Sequence, residues 1–207
     1  MNCSFIKLDE AHYYLKITNL FEENELREIW KEIDFLLDPI KLSSDTSTAR
    51  DSHNNLKSQK NGVFIDSIYT DRKYSNIFKY YKKHLNDKLY EITRANSYYW
   101  SVLPTTGSDC TLLNYYQDGD HYREHEDSAL FSQVIFLNKE PKKFTGGNLV
   151  FTEFNECITP ENNSLVMFPS FYTHKVETTF LSEDQQTKNN YSGEGRVSII
   201  TFYNYEG

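Results

Sequence analysis

The sequence predicts a mainly β domain, closed as a sandwich or barrel, with two helices flanking it. Two observations carry this. After Asn96, short runs rich in β-branched and aromatic residues follow one another: "YYWSVL", "TLLNYY", "SQVIFLN", "GNLVFTEF", "SLVMFP", "HKVETTF" and "RVSIITFYN". Turn signals such as "PTTGSD", "DGD", "KEPKKFTGG" and "TPENN" separate them, and strands at such spacing suggest closure. Before Asn96, two stretches repeat apolar residues at helical spacing. At 207 residues the chain fits a single domain, with 1–95 as support and 96–207 as the core.

The support opens with "HYYLKITN" (12–19), strand-like in its β-branched and aromatic content. "FEENELREIWKEIDFLLDP" reads as a helix: Leu26, Ile29, Trp30, Ile33 and Leu37 share a face, acids fill the first turn and Pro39 ends it. The segment 41–62, "KLSSDTSTARDSHNNLKSQKNG", is polar and predicts a long mobile loop or flexible hairpin. A second helix is predicted over 75–92. Ser75 is its N-cap, and Ile77, Tyr81, Leu85, Leu89 and Ile92 form its stripe.

Aromatics make up 15% of the chain, enough to supply a core, which excludes a disordered chain. The net charge of −8 argues against a nucleic-acid footprint, which needs clustered Lys and Arg. Cys3, Cys110 and Cys157 form no CxxC pair, and an odd count is a poor disulfide framework. With no signal peptide and no apolar run near the roughly 20 residues a membrane helix needs, the expectation is a cytoplasmic protein without a membrane partner.

"NYYQDGDHYREHEDS" (114–128) crowds two of the chain's 6 histidines among carboxylates. A helical zinc site on His121 and His125 fails. That pattern needs Glu directly after the first His, whereas Tyr122 stands there, and Asp118, Gly119 and Asp120 make a turn. On a strand, His125 and Asp127 point to one face. His174 in "FPSFYTHKVETT" is a candidate third ligand. Two histidines and one carboxylate make the facial triad of non-haem Fe(II) oxygenases, which leaves positions open on the metal.

The context of that triad resembles the Fe(II)/2-oxoglutarate-dependent dioxygenases, in particular the prolyl 4-hydroxylase-like group. Tyr116, Gly119, Tyr122, His125 and Asp127 match its first element, and Gly146, Gly147, Leu149 and Phe151 the next. Phe168 and Pro169 precede His174 and Val176, and Gly193, Gly195, Arg196 and Ser198 close the pattern. The resemblance covers 96–205 and implies a distorted double-stranded β-helix, or jelly roll. It implies that His125, Asp127 and His174 hold Fe(II), and that Arg196 pairs with the distal carboxylate of 2-oxoglutarate. A guanidinium suits that task, because it can grip a buried carboxylate at two points. Tyr116 donates to the cosubstrate in this reading, and Ser198 belongs to the same site. O2 is the second cosubstrate and ascorbate sustains turnover. His121 falls outside the site, and His12, His53 and His84 fit no constellation.

Two departures stand out. A second cosubstrate tyrosine found in many oxygen-sensing relatives is Phe136 here, and the span from His174 to Arg196 carries a polar excursion, 180–195. Asp127 argues against a halogenase. Phe202 stands where nucleic-acid demethylases of the superfamily carry a second arginine. The implied function is hydroxylation of a prolyl residue in a peptide or protein, with 41–62 in the place of that group's mobile substrate-covering loop. Arg50, Asp51 and His53 are its candidate contacts. The alternatives are a free amino acid or other small molecule as substrate, and a metal-binding jelly roll without turnover.

Overall fold

The computed structural model describes residues 1–186 and 191–206. The excursion predicted at 180–195 therefore lies partly outside the described residues. A hairpin opens the chain, β1 (Asn2–Lys7) against β2 (Tyr13–Thr18). β2 stands where the sequence places it. β1 is unanticipated: it is mostly exposed and pairs only with β2, so burial never imposes a pattern on its residues.

Helix α1 (Glu23–Leu36) buries Ile29, Ile33 and Leu36. The backbone N–H of Glu22 donates to the Glu25 carboxylate at 2.8 Å, which holds the first turn. The predicted second helix is two helices. α2 (Ile65–Ile68) is one turn; α3 (Asn76–Tyr80) and α4 (Asp87–Asn96) divide the 75–92 stretch between them. Ser75 does cap α3, accepting from Phe78 N–H at 3.1 Å. Asn86 then caps α4, accepting from Leu89 N–H at 3.1 Å. An Asn at that position competes for the backbone and starts a new helix. Buried Glu32 of α1 accepts from Ser75 Oγ at 2.7 Å and from Ile77 N–H at 3.0 Å, docking α3 onto α1.

"YYWSVL" is not a strand but a 3-10 turn, Tyr99–Thr105, with Trp100 fully buried at its centre. Its aromatics serve packing, and Pro104 removes a ladder donor. The 41–62 segment is more structured than a bare loop. β3 (Ser58–Gln59) and β4 (Asn61–Phe64) join different sheets, and bridges Ser43↔Gly62 and Arg50↔Leu56 fold the rest into a flap.

The body has two facing antiparallel sheets. The remaining strands of the large one are β5 (Ser108–Tyr116), β7 (Phe131–Leu137), β11 (Ser164–Pro169) and β14 (Arg196–Asn204), in the order β1-β2-β11-β7-β14-β5-β4. The small one contains β6 (His121–His125), β9 (Leu149–Phe151), β10 (Glu156–Ile158) and β12 (His174–Val176), in the order β10-β9-β12-β6-β3. β8 (Phe144–Gly146) and β13 (Thr179–Leu181) form a separate pair. This is the jelly roll expected from the sequence. One face of the large sheet packs on the helices through Ile135, Leu165, Val197 and Ile199. The other packs on the small sheet through Leu112, Val134, Val166 and Ile200. Covered on both faces, β7 is buried along its whole length, which is why "SQVIFLN" shows no clean alternation.

His84, between α3 and α4, is buried, and neither ring nitrogen has a hydrogen-bond partner. Gln133 lies beside it but is committed to Tyr81 O and Tyr203 Oη. Burial pushes the imidazole down to about 3. The unfolded chain therefore binds a proton below about pH 6.5 that the folded chain refuses. The stability that neutral His84 confers is complete above about pH 6.5 and falls by about 1.4 kcal/mol per pH unit as pH drops toward 3. Urea denaturation at pH 7 and pH 5 should show a fall in stability that includes this slope, and His84→Leu should reduce the fall by about 1.4 kcal/mol per pH unit.

Candidate metal centre

β6 and β12 pair antiparallel with His125 directly opposite His174. Strand register alone sets the two imidazoles side by side, with ring centroids 4.2 Å apart. Each ring is oriented by its own backbone. His125 Nδ1 lies 2.9 Å from Arg123 O and His174 Nδ1 lies 2.8 Å from Tyr172 O. A carbonyl can only accept, so both Nδ1 atoms carry a proton, which leaves Nε2 as the ligating atom of each ring. The Nε2 atoms converge on Asp127, at 3.7 Å from Oδ1 for His125 and 3.6 Å from Oδ2 for His174. The donor atoms of the three residues all lie within 4.8 Å of one another.

Asp127 reaches this place by a route that strand alternation does not describe. β6 ends at His125, so Asp127 lies beyond the strand. Its N–H donates to Ser170 O at 3.0 Å, and Ser132 Oγ donates to its Oδ2 at 2.5 Å. These two contacts fix the carboxylate against the large sheet. Burial, with His174 beside it, pushes His125 down to about 3. The ring is therefore neutral at neutral pH, the form that ligates metals. Tyr122 stacks flat on it, with centroids 3.5 Å apart at 9°. The edge of Phe168 meets His174 at 5.0 Å. Two imidazoles and one carboxylate, rigidly held with their ligand atoms converging, suit a divalent transition metal.

A cavity runs from this cluster between the sheets, and Arg196 stands toward its other end. Arg196 is 1% exposed. Its Nε donates to Gly147 O at 2.8 Å and its Nη1 to Ser198 Oγ at 3.2 Å. The guanidinium lies over the rings of Tyr116 at 4.6 Å and Phe136 at 5.2 Å. Among the described residues no carboxylate is within ion-pair distance. A buried cation without an anion fits a site for an anionic ligand. The Gly146-Gly147 pair is required by the backbone and by its neighbours. Both residues have positive φ, 69° and 65°. A Cβ at Gly146 would stand 2.1 Å from Thr178 O, and one at Gly147 2.6 Å from Arg196 Cδ. Glycine is needed there for conformation and for space.

Tyr116, Ser198, Arg196 and the three metal-ligand candidates thus all line one cavity. His121 contacts Gly119 O and lies outside it, in an outer surface depression. His12 pairs with Asp9, and His53 is exposed. Phe136 lacks the hydroxyl of many relatives, but its ring faces the guanidinium instead. Asn114 and Ser47 also line the cavity and were not anticipated. For Asn114 a signal existed, a lone amide inside the apolar run "TLLNYY"; Ser47, in a polar loop, left none. The flap carrying Ser47 is pinned to the site: Ala49 N–H donates to Tyr122 Oη at 2.7 Å and Lys60 Nζ to Thr46 O at 2.6 Å.

Comparison with known proteins agrees with this geometry. Residues 110–204 match the family model of the 2OG-Fe(II) oxygenase superfamily. No curated protein sequence matches the chain. Among solved structures, a Pseudomonas putida prolyl-4-hydroxylase is similar at 17% identity and a TM-score of 0.64, covering 95% of this chain and 94% of that one. A Trichoplax adhaerens prolyl hydroxylase, solved with a hypoxia inducible factor oxygen degradation domain peptide fragment, is similar at 14% identity and a TM-score of 0.61, over 92% and 82%. A Burkholderia pseudomallei oxidoreductase of the 2OG-Fe(II) oxygenase family is similar at 17% identity and a TM-score of 0.55, over 94% and 86%. These likenesses place the chain on the double-stranded β-helix fold, and residues 110–204 are similar to the 2OG-Fe(II) oxygenase superfamily.

Proposed function

We propose that the protein is an Fe(II)/2-oxoglutarate-dependent hydroxylase acting on a prolyl residue of a peptide or protein. The observation that carries the cofactor assignment is the pairing of the His125–Asp127–His174 cluster with an unpaired buried Arg196 across one cavity. His125, Asp127 and His174 hold iron through the two Nε2 atoms and the carboxylate. Arg196 receives the distal carboxylate of 2-oxoglutarate, and Ser198 and Tyr116 flank it with hydroxyls. Bound iron supplies a Lewis acid and O2 activation, with 2-oxoglutarate as the co-reductant and ascorbate sustaining turnover. The chain's own part is to orient and to exclude water. Gly147 O and the two aromatic rings fix the guanidinium before any ligand arrives, and the flap with Ser47 covers the cavity.

The prolyl assignment is supported by likeness in fold to two prolyl hydroxylases and by the shape of the mouth. An outer groove continues from the cavity between Ser47, Thr48 and Ala49 on one side and Cys110, Phe202 and Asn204 on the other. It is open at the surface and suits an extended chain. No helix among the described residues is long and apolar enough to cross a membrane. The three cysteines are unpaired, consistent with the reducing cytoplasm.

His174→Ala should abolish iron retention, read by metal analysis of the purified protein, and 2-oxoglutarate turnover with it. Full iron content in that variant would overturn the ligand set. Arg196→Ala should spare the metal and weaken 2-oxoglutarate by about 2–5 kcal/mol, about 30- to 5000-fold in dissociation constant by calorimetric titration. Succinate release should be stimulated by proline-containing peptides and not by free amino acids. Replacing 44–59 by a short Gly/Ser linker should leave iron and 2-oxoglutarate binding intact while peptide hydroxylation collapses. Stimulation by free proline instead, with peptide kinetics indifferent to the flap, would shift the assignment to a small-molecule substrate.

A further inference from the structure

Three exposed aromatics stand together beside the mouth, and none of them lines the catalytic cavity. Tyr98 is 92% exposed, Phe171 44% and Tyr205 54%. Apolar side chains exposed singly carry no meaning, but a cluster of them marks a contact surface. Tyr98 and Phe171 line a cleft of about 350 Å³ together with Tyr13, Tyr99, Trp100 and Tyr172. That volume falls within the range of ligand sites.

The cleft is rigid. Tyr99 meets Phe171 edge-on at 5.2 Å, and Phe171 meets Tyr172 edge-on at 5.1 Å. Tyr13 stacks on Phe5 at 5.0 Å, and Phe5 lies at right angles to Trp100 at 4.9 Å. Tyr172 joins the two runs of rings, because its Oη accepts from Tyr13 N–H at 3.0 Å and donates to Tyr13 O at 3.1 Å. Tyr98 O accepts from both Ser101 N–H and Ser101 Oγ, so the Tyr98 ring is held out in water on a fixed stem.

The lining selects among occupants. Among the described residues no lysine or arginine lines the cleft, whereas single-stranded nucleic acid needs cations beside the rings on which its bases stack. Trp100 is 0% exposed and its Nε1 has no hydrogen-bond partner. An indole N–H only donates, so this wall lacks an acceptor. A proline-rich chain has the complementary shortage, because each proline brings a carbonyl and no N–H. In the polyproline II form its carbonyls make no internal hydrogen bonds, and grooves lined by aromatics take that preformed helix at low entropic cost.

The cleft also continues from the outer groove. Ser170 O holds Asp127 N–H at 3.0 Å, and Phe171 is the next residue of the chain. Tyr99 Oη and Ser170 N–H both donate to Leu130 O, at 2.9 and 3.0 Å. Asn204 of the groove is followed by Tyr205, which lies near Tyr99.

We propose that this cleft is a second docking site for substrate, seating a polyproline II segment of the same polypeptide whose prolyl residue enters the cavity. This rests on the prolyl reading of the function. Docking adds no chemistry. It raises the effective concentration of the target segment at the mouth, so it lowers KM for long substrates and leaves kcat alone.

The test compares a pentaproline with a fifteen-residue oligoproline. At about 3.1 Å per residue the longer peptide spans about 45 Å, enough for groove and cleft together, and the shorter about 15 Å. Succinate release should show a lower KM for the longer peptide. Tyr98→Ala and Phe171→Ala should each raise that KM about tenfold, with kcat and the pentaproline kinetics unchanged. Trp30→Phe leaves Trp100 as the only tryptophan, and the longer peptide should shift its fluorescence. In that background the shift should persist with His174→Ala and vanish with Tyr98→Ala. Should Phe171→Ala not fold, Tyr98→Ala, on a separate and exposed element, decides alone. Equal KM for the two lengths, or a difference that Tyr98→Ala leaves untouched, would overturn the docking site while the prolyl reading stands. Succinate release with free proline and with neither oligoproline would overturn the prolyl reading and the occupant together. A dimer in sedimentation that Tyr98→Ala dissociates would overturn the occupant in favour of a second copy of this chain.

Discussion

A guanidinium buried without an acid is the constraint around which the cavity is arranged. Removing a cation from water is costly unless its charge and its donors are met. Here Gly147 O and Ser198 Oγ take two donors, and the rings of Tyr116 and Phe136 face the cation's planar surface. Much else follows from keeping that arrangement. The Gly-Gly corner must stay free of side chains, β14 must enter the sheet at residue 196, and Phe136 keeps an aromatic ring near the cation.

The metal-ligand candidates are built on a different logic. The small sheet needs only one antiparallel pairing to set the imidazoles together, and each ring is locked by a carbonyl two residues from it in sequence. The carboxylate comes from outside the strand and is anchored on the large sheet by Ser132 and Ser170. The centre therefore bridges both sheets, and its geometry depends on how they face each other. Hydrophobic packing of Phe151, Phe168 and Tyr172 between them stabilises that spacing.

Legibility in the sequence followed burial. β5, β7, β11 and β14 were readable because both faces are covered over most of their length, so apolar residues run there without strict alternation. β1 was not, because most of its residues are exposed and obey no alternation. The single long helix over 75–92 failed because Asn86 fits helical periodicity as well as it fits a cap, and nothing local decides between them. "YYWSVL" failed because its aromatics fill a core without forming a strand. His125, Asp127, His174 and Arg196 were found by their order and spacing. The strand argument for Asp127 named a residue that the structure does bring beside the two histidines, but it arrives from beyond the strand. Asn114 needed the register of β5 against β14 before its unusual position could be seen, and Lys60 needed the fold of a flap that composition alone described only as polar.

Tyr122 carries two unrelated tasks on one side chain. Its ring is the floor on which His125 lies, and its oxygen is the peg to which the flap is tied at Ala49. Phenylalanine would satisfy the first demand and abandon the second, while a small hydroxylated residue would lack both the ring and the reach. The position is pleiotropic: drift there is limited by the product of two selective filters rather than by either alone.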